Sequence, residues 1–99
     1  MYDMSHLKKL STLGKNAPDA MKAFEALSTA VFTDGSLSRK TKEIIAVAVA
    51  IAVQCPYCIE IHKANAVRAG ATEGELSEAS FVAAAIGAGA AATHSTHAL

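Results

Sequence analysis

The sequence has no tryptophan, and aromatic residues of all kinds make up 5% of its 99 positions. It has two prolines and two cysteines, and nine acidic residues balance nine basic ones for a formal net charge of zero. Each shortage excludes something. Without a basic excess, a chain of pI about 6.9 lacks the electrostatic stripe that nucleic-acid binding needs. Arg39, Lys40 and Lys42 form the densest basic stretch and read as the solvated start of a helix. Two cysteines cannot staple a disulfide-dense scaffold, and six glycines cannot build a collagenous one. Zero net charge beside 52% hydrophobic residues excludes a disordered chain. No uninterrupted apolar run approaches the ~20 residues of a membrane span. The two longest are Ile44–Val53 and the Ala/Gly-rich Phe81–Ala92. No signal peptide is visible, because Asp3, His6, Lys8 and Lys9 interrupt the first residues. The expectation is a cytoplasmic chain with no membrane or nucleic-acid partner.

What the chain has in quantity is alanine, 22 residues of it. Alanine is the best helix former and a poor strand former, so so much of it with so few aromatics predicts closely packed helices. The length suits a single domain, residues 1–99. A monomer this small buries only about 65% of its unfolded surface, so the apolar excess is expected to meet other subunits.

Five helices are expected. Leu7, Leu10 and Leu13 recur within a weakly amphipathic Tyr2–Leu13 that Gly14 stops. Asn16 or Ala17 caps a second helix with Pro18 in its first turn. Met21, Phe24, Leu27, Ala30 and Val31 mark one face of it, and Thr33-Asp34-Gly35 ends it. Ala46–Val53 alternates large and small residues as a strand would. Its small partner is always alanine, however, and the segment extends back smoothly to a capping Ser38. Ser38–Val53 is therefore read as a central helix, apolar on every side and so enclosed. Gln54-Cys55-Pro56 breaks the chain, and Pro56 starts a fourth helix that runs to Ala69 and stops at Gly70. Thr72 and Glu75 form a capping box for a fifth helix through Leu76, Ala79, Val82, Ala83 and Ile86. The tail Thr93–Leu99 is expected to fray.

Four residues carry chemistry: Glu43, Cys55, Cys58 and His62. Cys55-Pro56-Tyr57-Cys58 places two thiols at a helix start, where the helix dipole favours the nucleophilic thiolate. His62 lies four residues after Cys58, on the same helix face, and can exchange a proton with it. Glu43 stands ~15 Å back from the end of the third helix, and His62 ~9 Å from the start of the fourth. If the fourth helix returns along the third, the ~6 Å offset is within side-chain reach. A buried glutamate needs a partner, and His62 supplies it. The expected order is Glu43 orienting His62, and His62 activating Cys58.

Glu43, eleven residues, Cys55-x-x-Cys58, three residues and His62 resembles the signature of alkyl hydroperoxidase D-like proteins of the carboxymuconolactone decarboxylase family. The flanks Leu37–Ala46 and Lys63–Thr72 are similar to it as well, and the resemblance covers roughly Ser36 to Ile86. It implies an all-helical fold, a homotrimer or homohexamer, and thiol-dependent peroxidase or disulfide reductase activity without a cofactor. It also implies a dihydrolipoyl- or thioredoxin-type electron donor and a peroxiredoxin as partner. By the same resemblance Cys58 is the more reactive thiol and Cys55 resolves its product. Pro56-Tyr57 stands where the type member has Ser-His, so one histidine beside the thiols is missing, and the chain has one core repeat instead of two. Two rival readings differ in class. Cys55, Cys58, His62 and one of His94 or His97 would supply a structural zinc site. The decarboxylase chemistry of the family's namesake needs no Cys-x-x-Cys pair, so the thiols argue against it. Attachment of c-type haem is excluded, since Ile59 follows Cys58.

Overall fold

The computed structural model describes residues 2–99, and every regular element among them is helical. The chain divides into two compact units, residues up to 39 and residues from 40 on. In the first unit, Asp3 accepts the Ser5 N–H at 2.9 Å and starts a 3-10 helix, Met4–Lys9. This runs directly into helix α1, Leu10–Asn16. Gly14 does not stop the helix as the sequence suggests. It lies inside α1, where an added Cβ would sit 3.3 Å from Met21 Cγ. The glycine serves close approach between α1 and helix α2, Pro18–Phe32, rather than termination. Ala17 breaks the two apart (φ −137°, ψ 69°), and Pro18 takes the first position of α2, as expected. Asp34 then accepts the N–H of Arg39 at 2.5 Å, where helix α3 begins.

In the second unit, α3 (Arg39–Ala52) is a helix despite its strand-like alternation. Glu43, Val47 and Ala50 form a stripe three and four residues apart, and all three are buried. With Ala66 they are the whole buried set of the described residues. The central helix thus holds the core, but enclosure reaches only this stripe. Ile45 and Val49 remain 45% and 54% exposed, because the single chain supplies no cover for that side.

α3 and helix α4 (Pro56–Arg68) end alike. At the end of α3 the Cys55 N–H donates to Ala50 O at 2.9 Å and the Gln54 N–H to Ile51 O at 3.2 Å. At the end of α4 the Ala71 N–H donates to Ala66 O at 2.9 Å and the Gly70 N–H to Val67 O at 3.0 Å. Both are Schellman motifs, which need a left-handed residue after the cap. Gly70 takes that conformation at φ 100° without strain, whereas Gln54 takes it at φ 58° with a side chain.

The capping box of helix α5 (Glu73–His94) is formed as expected, with Glu75 N–H on Thr72 Oγ1 and Thr72 N–H on Glu75 Oε1. Lys40 Nζ lies 2.9 Å from Glu75 Oε2, tying the start of α5 to the start of α3. The tail does not fray. After His94 a 3-10 helix covers Ser95–Ala98. Thr93, Ser95 and Thr96 hydroxyls donate to the carbonyls of Gly89, Ala92 and Thr93, and no residue after Gly89 breaks the helix. The helical stretch Glu73–Ala98 therefore runs 26 residues and is, by length and composition alone, apolar enough to cross a membrane. Counting uninterrupted apolar runs hid this, since the threonines, serine and histidines near its end divide it.

Two stability predictions follow from these ends. A β-branched residue tolerates the left-handed region poorly, so Gln54→Val lowers the urea midpoint by an amount worth ~1–2 kcal/mol. Gln54→Gly leaves it level or slightly raised. The second concerns acid. The Thr72 N–H first, and then the Lys40 ammonium, hold the Glu75 carboxyl below its ordinary 4.5. A carboxylate depressed in the folded state stabilises above its unfolded value and loses that contribution as pH falls through the folded one. The wild-type Tm therefore drops on acidification below pH 4.5. Glu75→Gln lowers the neutral-pH Tm and flattens that part of the acid limb.

Candidate functional site: a disulfide beside a buried Glu–His pair

Cys55 and Cys58 are joined by a disulfide with their Cα atoms 5.3 Å apart, inside the range such bonds require. Local structure dictates this pairing. Cys55 is extended (φ −106°, ψ 94°) and is the N-cap of α4, Pro56 fills the first helical position, and Cys58 completes the first turn. Its sulfur plays the part usually taken by a serine or aspartate oxygen. The Cys58 N–H donates to Cys55 Sγ at 3.3 Å.

One turn further, His62 Nδ1 lies 2.7 Å from Glu43 Oε2. The carboxylate is 1% exposed and the imidazole side chain 22% exposed. The contact requires α4 to fold back along α3, as the helical rise of the two segments anticipates. A buried carboxylate accepts, so Nδ1 carries the proton that is shared with it. That leaves Nε2 as the basic nitrogen of the neutral ring. Cys58 and His62 are four residues apart on α4, with Cβ atoms about 5–6 Å apart by helical geometry. The four residues singled out by spacing therefore fall into two linked pairs, a disulfide and an oriented imidazole, joined by one turn of helix.

Sequence reasoning missed Gln54 and Ala50. The carbonyl of Ala50, a buried residue, holds the Cys55 N–H and so fixes the first sulfur to the core helix. No signal marked Gln54, because the left-handed cap is usually read from a glycine or an asparagine. The zinc rival does not assemble. The two sulfurs are bonded to each other, and His94 and His97 face one another with ring centroids 6.1 Å apart. Among the described residues no group of three or more His, Cys, Asp or Glu side chains is placed to hold a metal ion.

Known proteins share this arrangement of helices. The model of the carboxymuconolactone decarboxylase family matches residues 18–99. An uncharacterized protein 4 in the cox locus of Paracoccus denitrificans is 47% identical over 102 residues, covering all of this chain and 92% of that protein. A carboxymuconolactone decarboxylase family protein from Legionella pneumophila, solved in its apo form, superposes with a TM-score of 0.78 at 39% identity. That match covers 84% of this chain and 79% of the other. A family member from Thermotoga maritima, for which a part in the antioxidative response has been suggested, gives a TM-score of 0.65 at 34% identity. There 69% of this chain and 70% of the other are covered.

The Glu43–His62 contact has a stability consequence of its own. Glu43→Ala leaves the imidazole N–H without its carboxylate and opens a void, costing ~3–5 kcal/mol in urea unfolding. Glu43→Gln keeps an acceptor oxygen and costs about 1–2 kcal/mol. A loss for Glu43→Gln as large as that for Glu43→Ala would mean that the amide oxygen recovers nothing of the carboxylate's hydrogen bond.

Proposed function

Since the chain belongs to the carboxymuconolactone decarboxylase family, we propose that it is a thiol-dependent oxidoreductase, reducing peroxides or disulfides through Cys55 and Cys58. The observation that carries the reading is the Cys55–Cys58 disulfide at the first turn of α4 with the Glu43-bound His62 one turn beyond. A Cys-x-x-Cys disulfide at a helix N-terminus is readily reduced, because the helix dipole favours the thiolate that reduction releases. An imidazole fixed by a buried carboxylate is suited to take and return a proton beside those sulfurs.

In the oxidising half, the Cys58 thiol gives its proton to His62 Nε2 and the thiolate attacks the peroxide. A sulfur–oxygen bond forms, the O–O bond breaks, and the departing alkoxide takes the proton back from His62. Cys58 is left as a sulfenic acid. Cys55 then attacks Cys58 Sγ, water departs, and the disulfide is restored. In the reducing half, an external dithiol of dihydrolipoyl or thioredoxin type delivers two electrons and leaves as its own disulfide. A peroxiredoxin disulfide in place of the peroxide is handled by the same exchange, with no oxygen transferred.

The chain's own surface supports association with further copies, which the family resemblance makes a homotrimer or homohexamer. Phe81 and Ile86 on α5 are 76% and 70% exposed, and Phe24 and Leu27 on α2 are similarly open. Faces of this kind are covered by other subunits in stable oligomers. A cytoplasmic setting, where thiols are kept reduced, suits the turnover of the pair.

Peroxide consumption coupled to a lipoyl or thioredoxin donor screen tests the reading. The wild-type chain loses two thiols on peroxide treatment without covalent dimerisation. Cys58→Ser lowers turnover by about 10²-fold or more. Full turnover in Cys58→Ser removes the proposal.

A further inference from the structure

The last turns of α5 hold two histidines that the redox reading does not use, and their arrangement depends on the tail staying helical. The Thr93 and Thr96 hydroxyls donate to Gly89 O at 2.7 Å and to Thr93 O at 2.8 Å, and the Ser95 hydroxyl donates to Ala92 O. Hydroxyls committed to the helix behind them do not draw the backbone into a loop. The chain tightens instead from α5 into the 3-10 turn Ser95–Ala98. In such a turn, residues three apart eclipse one another. His94 caps the turn and His97 lies within it, three residues on. Their rings stand with centroids 6.1 Å apart and planes inclined at 36°. Both residues are exposed.

Hydrogen bonding settles which nitrogen of His94 is available. Its Nδ1 lies 3.1 Å from Ala90 O, and a carbonyl only accepts, so Nδ1 carries the proton. The lone pair of the neutral ring is then on Nε2. A histidine that ligates a metal through one nitrogen characteristically donates its other N–H to a carbonyl or carboxylate. That bond fixes the tautomer and raises the basicity of the ligating nitrogen. Ala90 O makes it without an ion being needed. The electrostatics are also favourable. No Asp or Glu follows Glu78 and no Lys or Arg follows Arg68, so the two imidazoles are the only ionisable side chains of residues 79–99. A cation meets no fixed positive side chain in that stretch, and it lies at the carbonyl end of a long helix, where the dipole favours it.

We propose that His94 and His97 form a two-imidazole site for a divalent transition-metal ion, with water completing its coordination. An imidazole nitrogen stands ~2.0–2.1 Å from such an ion, which puts each ring centroid roughly 3.2 Å from it and the two centroids about 5 Å apart at a tetrahedral angle. The pair as it stands is ~1 Å wider than that, a closure that exposed side chains make by rotation about their χ angles. The donor set fixes the class of ion. Neutral nitrogens without a carboxylate favour copper, nickel and zinc over magnesium and calcium, which seek oxygen. This site differs from a structural zinc centre built on the thiols. Neither sulfur takes part, and the ion leaves the Cys55–Cys58 disulfide as it is. Two protein ligands hold an ion reversibly, and the helix that carries them is formed without it.

Titration of the oxidised full chain with Zn2+ tests this, since sulfurs bonded to each other do not compete for the ion. Imidazole resonances are followed by 1H–15N NMR in the wild-type chain. The expected result is that His94 and His97 shift together and saturate at one ion per chain, with the metal on His94 Nε2 and the proton kept on its Nδ1. Excess Mg2+ does not displace the zinc. His94→Ala and His97→Ala each weaken zinc binding by at least about tenfold, because the second imidazole of a chelating pair binds intramolecularly. His6→Ala leaves the affinity unchanged. Alanine at either exposed position suits the helix, so circular dichroism of both variants stays at the wild-type level. Zinc that shifts one of the two rings alone, that shifts neither, or that binds either variant as tightly as the wild type overturns the site.

Discussion

The hydrogen bond between Glu43 and His62 is the constraint on which the second unit depends. A carboxylate at 1% exposure inside an otherwise apolar stripe is costly unless it is met, and one imidazole 2.7 Å away meets it. That contact fixes how far α4 slides along α3. A displacement of α4 by one turn toward the end of α3 would set the imidazole level with Val47 and leave the Glu43 carboxylate without its donor. Replacing such a buried pair with well-packed apolar side chains is often neutral or stabilising. Stability alone is therefore a weak reason for a glutamate here, and the orientation it imposes on the imzidazole beside two sulfurs is a stronger one.

The same economy governs the junction of α3 and α4. Cys55 is at once the last residue of the Schellman motif that closes α3 and the N-cap that opens α4. One residue satisfies the end of one helix and the beginning of the next, so its backbone has almost no positional freedom. The strain sits one residue earlier, at Gln54, whose left-handed conformation costs about 1–2 kcal/mol against an ordinary helical residue. A three-residue link between helices leaves no alternative path: the turn must be this tight if Cys55 is to cap α4 while Glu43 reaches His62.

Features were legible in the sequence where a residue's own chemistry forces local geometry. Pro18 and Pro56 opened their helices, Gly70 closed one, and Thr72 with Glu75 formed the expected box. The Glu43–His62 contact followed from helical rise once the fourth helix was taken to return along the third and Glu43 to be buried, because both helices are regular between the relevant residues. Features were illegible where the decisive partner lies elsewhere. Gly14 looks like a stop, yet it is set by Met21 seven residues later. Gln54 carries no mark of its left-handed turn. The tail was misread because Thr93, Ser95 and Thr96 resemble loop residues until their hydroxyls are seen to bond to the helix behind them. An apolar stripe, finally, reports that it wants cover without saying from which molecule. That is why α3 reads as enclosed on every side while Ile45 and Val49 stay open in the single chain.

That openness bears on how the site and the proposed assembly relate. Covering apolar area releases ~25 cal/mol per Å2, so residues such as Phe81 and Ile86 offer a large association energy. The site residues draw on none of it. Glu43 is already buried within its own chain, His62 already has its carboxylate, and the sulfurs are already joined and capped. The proposed chemistry would thus be prepared by contacts between α3 and α4 that one chain makes for itself. The proposed association would then act on the lifetime of the fold and on which partner can reach the sulfurs, while the geometry of the proposed proton and electron transfer stays a property of one chain.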